Sequence, residues 1–340
     1  MTSDAPAPPN RLSRLMSRLG ADQRRLLANV LYDWRRYARH SFVFGARRRG
    51  HRAAMMHILA HSLEHGMSVP APRPGFGVEK ATSLLAKVES YVRDFEADAS
   101  ARSAMRALDA WTDFHRRAGL NMDSFAQRLD RLESAVAFRQ GAEAGGVEKT
   151  TVAEIRQATG FDYGRFVRAR HSVRQYAPRP VDRQTIREAV ADAQQCPSVC
   201  NRQTCRVYAL TKPEEIAEVL AHQSGNAGFG HEVAVLFIIV SDMERMNLIG
   251  ERYQGWIDGG IFAMSLALSL HARGLGACCL NWSVTADIDR RMRRLVGIPD
   301  NELVITMMSA GHLKDNFAVP VSQRRPIDDI LVLDPPLHGG

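Results

Sequence analysis

Arg168, Arg170, His171 and Arg174 stand within the seven residues RARHSVR, and Tyr176 and Pro178 close the run. Guanidinium groups this dense can grip an anion, because each presents a planar fork of donors that matches phosphate or carboxylate oxygens. The same density also suits a solvated helix start. Pro197, Ser198, Asn201 and Gln203 follow in CPSVCNRQTC, Leu280, Asn281 and Trp282 end RGLGACCLNW, and Arg325 lies in the closing SQRRPIDDILV. HExxH, GxSxG and P-loop patterns are absent, and GNAGFG at 225–230 does not follow a strand, so it is no dinucleotide fingerprint. The five cysteines form no CxxC pair and have poor spacing for zinc. They read as small apolar packing residues.

The elements that must position these residues fall into two textures. Apolar residues at three- and four-residue spacing predict helices over 12–40, 52–64, 79–117 with a break near Ser100, and 122–138. Prolines and glycines break the pattern at 68–77. Beyond residue 150, strands at 205–211, 233–241, 277–282 and 303–312 alternate with helices at 183–195, 214–221, 258–276 and 286–295. The expected organisation is a disordered 1–9, a helical region 10–140, a linker 141–150 and an α+β domain 151–335.

The order of the motifs resembles the FMN-dependent nitroreductase family. That family opens on Arg-x-Ser-x-Arg/Lys-x-aromatic, continues with Pro-Ser-x-x-Asn-x-Gln-Pro-Trp, turns through Gly-Leu-Gly into a strand under the flavin, and closes on a basic segment. The resemblance runs from about 166 to 333, preceded by an N-terminal helical extension. It implies a nitroreductase-like three-layer fold of sheet and helices, acting as a homodimer. It implies FMN as cofactor, NADH or NADPH as reductant, and a small organic acceptor reduced by ping-pong hydride transfer. By the same resemblance, Arg170 and Ser172 hold the flavin phosphate with His171 beside them and Arg325 approaching. Arg174 sits near the pyrimidine edge, where a cation favours the reduced ring. Pro197, Ser198, Asn201 and Gln203 belong to a loop that reaches the flavin across the dimer. Backbone amides around Leu280, Asn281 and Trp282 approach the hydride-accepting nitrogen, and Trp282 stands where it would narrow the pocket. No acid or base residue is implied, since the flavin carries the chemistry. Gln203-Thr204-Cys205 departs from Gln-Pro-Trp, and the short 242–257 connection weighs against a deiodinase-type lid.

The first 150 residues hold 24 Lys+Arg against 16 Asp+Glu, and the rest 21 against 21. Nine arginines lie between Arg24 and Arg52 with Asp33 the one acid among them, which suits an acidic or anionic partner. His57, His61 and His65 share one helical face, either as a packed or solvated stripe or as metal ligands. No signal peptide or transmembrane run is evident, and the cysteine usage fits a reducing cytoplasm. Three alternatives stand beside the leading reading: a same-fold flavin protein with other chemistry, a non-catalytic dimeric scaffold or regulatory protein, and nucleic-acid binding by the arginine block.

Overall fold

The computed structural model describes residues 20–136 and 145–335. The disorder expected over 1–9 lies outside them, as do the first turns of the helix expected over 12–40 and the start of the 141–150 linker. Helices α1 (Ala21–His40), α2 (Arg49–Ser68), α3 (Val78–Asp94), α4 (Ala99–Arg117) and α5 (Asp123–Val136) come first. α2 to α5 close around Met56, Leu63, Leu84, Leu85, Leu108 and Trp111, all at most 1% exposed. Burying each such side chain contributes roughly 1.5–3 kcal/mol. The break expected near Ser100 falls at 95–98, where the Asp98 carboxylate caps α4 by accepting from the Ser100 and Ala101 amides.

α1 docks by an unexpected face. Its apolar stripe is open: Leu26, Val30 and Trp34 are 66%, 54% and 62% exposed. The docked side is polar instead. Asn29 Oδ1 accepts from the Ala286 amide at 2.7 Å, Tyr32 Oη donates to Asp289 at 2.7 Å, and Arg36 donates to the Asp300 and Glu302 carbonyls at 2.9 Å. His40 Nε2 meets Asp300 at 2.8 Å. Apolar periodicity located the helix, but directional polar pairs chose its docking face.

The second part begins with two short helices that the sequence patterns did not predict, α6 (Val152–Ala158) and α7 (Tyr163–Ala169), capped by Thr151 and Asp162. Then come α8 (Arg183–Ala193), β1 (Cys205–Leu210), α9 (Pro213–Leu220), β2 (Val235–Asp242), α10 (Gln254–Ala272), β3 (Leu275–Asn281), α11 (Ala286–Val296) and β4 (Glu302–His312). α10 starts a turn earlier than expected and stops before 276, because Gly274 takes a left-handed φ of 71° and Leu275 already pairs with His312.

The sheet is antiparallel throughout, in the order β1-β2-β4-β3. β2 is its centre and is buried on both faces. Leu236, Ile238 and Val240 pack with Ile216 and Leu220 of α9 and Met292 of α11. Val235, Phe237 and Ile239 pack with Ile186 of α8 and Phe262 and Leu266 of α10. The result is helix, sheet, helix in three layers: the expected α+β class. No described helix is long and apolar enough to cross a membrane.

Candidate functional site

β3 is an edge strand, and the arginine-rich motif lies along its open side. Arg168 ends α7, and from Arg170 the chain is extended, so the motif is not a helix start. α7 is pinned to α10 by His271, whose ring meets the Phe166 carbonyl at 3.0 Å. Ser172 then bridges Ala277 in parallel, with the Val173 amide donating to the Ala277 carbonyl at 3.0 Å. Tyr176 anchors the far end. It is 1% exposed, its Oη donates to the Val173 carbonyl, and its amide donates to Glu232 at 2.8 Å. Between these anchors Arg170 is half-buried, and His171 and Arg174 are exposed.

Neither Arg170 nor Arg174 is paired with a carboxylate among the described residues. Both lie near Cys278 on β3, where their charges partly offset the burial that raises its thiol pKa. Ladder bonding alternates along a strand, so the Cys279 and Asn281 amides turn outward like that of Ala277. The open edge therefore gathers two unpaired guanidiniums, the Ser172 hydroxyl and outward amides. This donor set fits a phosphorylated, electron-rich ring system such as FMN.

The end of β3 is held from elsewhere. Buried Gln223 donates to the Asn281 carbonyl at 3.1 Å. Leu280 is buried in the core, so only its backbone is available to a ligand. Trp282 is 8% exposed; its ring packs into the same core and its Nε1 donates to Asp289 at 2.8 Å. Its side chain is thus spent on the core and on α11.

The second motif forms a separate cleft. Pro197, Ser198 and Gln203 line it with Asp258 and Phe262, whereas Arg170 and His171 line another beside β3. One chain does not bring the two sets together. Asn201 is exposed at the loop tip, and exposed Arg325 lines neither cleft.

The loop between α8 and β1 is strained and heavily tied. Cys200, Asn201 and Gln203 all take left-handed φ near 48–49°, which costs about 1 kcal/mol or more per residue. Ser198 Oγ accepts from the Gln203 amide at 2.9 Å. Arg202 is fully buried and pairs in two places with Glu251, at 2.6 and 3.0 Å. Buried Asp258 accepts from Thr204 Oγ1 at 3.1 Å and from Gln254 at 2.8 Å. α2 packs on the outside of this loop, with His57 buried below Asn201 and Arg202. Neither His57 nitrogen has a partner of hydrogen-bonding geometry, and burial lowers its pKa to about 4. His61 and His65 on the same helix are exposed.

Glu232, Gln223, Arg202, Glu251 and Asp258 were missed as positioning residues. Asp258 alone carried a local signal, an acid at the head of an apolar helix. Three of the cysteines behave as packing residues: Cys278 is buried in one core, Cys196 and Cys205 pack against the other, and burial pushes the Cys205 thiol up to about 12, whereas Cys279 is exposed.

The three-layer fold and its cationic strand edge define the class of protein. The Nitroreductase family model matches residues 167–227 and 217–312. This stretch of the chain is therefore similar to the nitroreductase family. A 4-nitrobenzoate reductase of Pseudomonas putida is 22% identical over an alignment covering 46% of this chain and 88% of that protein. Among solved structures, a nitroreductase family protein from Clostridium difficile 630 is 19% identical, covering 52% of this chain and 99% of that one, with a TM-score of 0.45. An FMN-dependent nitroreductase from Clostridium difficile R20291 is 20% identical, covering 46% and 91%, with a TM-score of 0.40.

Proposed function

We propose that this protein is an FMN-dependent oxidoreductase, working as a homodimer, that takes hydride from NADH or NADPH and passes it to a small organic acceptor such as a nitro compound or quinone, in ping-pong order. One observation carries the reading. Within the stretch similar to the nitroreductase family, the bridge between Ser172 and Ala277 lays Arg170 and Arg174, unpaired among the described residues, along the open edge of β3.

Arg170 and Ser172, with His171 beside them, would hold the phosphate of FMN; Arg325, which lines neither cleft in one chain, would approach it from the tail of the second copy. Arg174 would stand by the ring, and the Cys279 and Asn281 amides would orient it. When bound, FMN supplies the hydride-accepting and hydride-donating centre. The residues bind, orient and bias charge, and none needs to move a proton. Ser198 and Gln203 of a second copy would complete the site, since one chain keeps them in a different cleft.

The dimer has surface to form. α10 exposes Trp256, Ile257, Ile261 and Met264 on one face, Tyr253 is exposed just before it, and the tail exposes Ile330, Leu331, Val332 and Leu333. The departure at Gln203-Thr204-Cys205, the ground for a scaffold reading, is built into the loop: Thr204 is buried on Asp258. The arginine block does not form one nucleic-acid strip, because Arg36, Arg48, Arg49 and Arg52 are spent on acids.

The test is the visible spectrum of the purified protein and the identity of any chromophore released on denaturation. A yellow protein that releases FMN and bleaches with NADH or NADPH under anaerobic conditions is expected. A colourless protein that also fails to take up added FMN would overturn the proposal.

A further inference from the structure

A cavity of about 470 Å³ opens where α1 meets α11, away from the open edge of β3. Its walls include Leu31, Tyr32, Arg35, Arg36, Arg39 and Arg290. The α1 residues at 28, 31, 32, 35 and 39 form one helical face, so the helix presents a single wall. Arg36 is committed: it is 4% exposed and donates to the Asp300 and Glu302 carbonyls. Asp300, the acid in the cavity, is already engaged by His40 and Arg36. Arg35, Arg39 and Arg290 are exposed, and none pairs with a carboxylate among the described residues. Arg290 stacks over the Tyr32 ring, its guanidinium carbon 4.6 Å from the centroid.

Three unneutralised guanidiniums in one concavity repel each other, and a multivalent anion relieves that repulsion. A carboxylate brings one charge and two oxygens. A phosphate monoester brings nearly two charges and three oxygens, so it can engage more than one fork. Ala28, Leu31 and the Tyr32 ring supply an apolar wall that free phosphate would not use. The volume also exceeds what a bare phosphate needs. We propose that this cleft binds a small organic phosphate of about nucleotide size, its phosphate on Arg35, Arg39 and Arg290 and its body against Ala28 and Leu31.

The test is calorimetric titration of AMP, and separately of pyrophosphate, into the full-length protein loaded with FMN and then freed of unbound flavin. AMP should bind saturably, tighter than pyrophosphate and more weakly as salt rises. Arg35→Ala/Arg290→Ala should weaken it about tenfold or more, as expected for lost charge-assisted bonds. Arg170→Ala, which touches only the proposed flavin site, should leave it unchanged. Arg39→Gln gives an independent reading if the double variant loses its fold. No saturable AMP binding, or undiminished affinity in the cleft variants, would overturn the site. Pyrophosphate binding as tightly as AMP would overturn the organic body, and a short DNA duplex outcompeting AMP would overturn the compact ligand.

Discussion

Arg170 and Arg174 sit four residues apart on one extended segment, yet they should fail differently. Arg170 is half-buried where α7 ends, and its side chain makes no ion pair among the described residues, so removing it leaves the fold little changed. Lost charge-assisted bonds to a phosphate are worth roughly 1.5–3 kcal/mol, so Arg170→Ala should weaken FMN binding about 10- to 100-fold while the melting temperature of the flavin-free protein holds. Flavin content per chain, set against thermal unfolding, reads both at once. Arg174→Ala should keep part of its flavin and shift the reduction potential downward, because the reduced ring loses a counter-charge. An unchanged potential would remove that role. These two arginines and Ser172 could be proposed together from the sequence because their spacing is local. Glu232 and Gln223 were not, since they act on Tyr176 and Asn281 from 56 and 58 residues away. No local pattern records a partner at that distance.

Elements were legible to the extent that their signals were periodic. β2 was plain from its apolar run, while the periodicity that located α1 from residue 21 onward did not indicate its docking face, because its apolar stripe does not dock. The contact between α2 and the loop after α8 had no sequence signal, and it can be tested through His57. The folded pKa of His57, about 4, lies below the ordinary 6.5 because burial opposes its charge. Above about pH 6.5 the ring is neutral whether the chain is folded or unfolded. As pH falls from 6.5 toward 4, the unfolded chain binds a proton that the folded chain refuses, so stability drops. Between pH 7 and 5 this group should remove about 2 kcal/mol. Urea midpoints at the two pH values should converge in His57→Leu relative to the parent, because the variant has no ring there to titrate. An equal acid loss in both proteins would show that His57 titrates freely and does not support the loop.

At the scale of the molecule, the two motifs proposed for the flavin read as one constellation in sequence, yet the folded chain places them in two clefts. The proposed two-fold dimer would resolve this by bringing each copy's Ser198 loop to the other copy's β3 edge and burying the same surface on both. The α10 stripe of Trp256, Ile257, Ile261 and Met264 is the surface available near the cleft that holds Ser198 and Asp258. Ile257→Asp/Ile261→Asp places two charges on that stripe without touching Arg170, Ser172 or Arg174. Both side chains are exposed in the single chain, at 53% and 38%, so the monomer's own packing loses little. Light scattering should then report a monomer, and flavin content should fall with it, although every residue at the β3 edge is intact. Parallel loss of dimer and flavin would tie the separated motifs together through the interface. A folded monomer that retains stoichiometric FMN would mean that one chain's β3 edge suffices, and that the Ser198 loop, with its strained backbone and its support from α2, serves something other than the flavin.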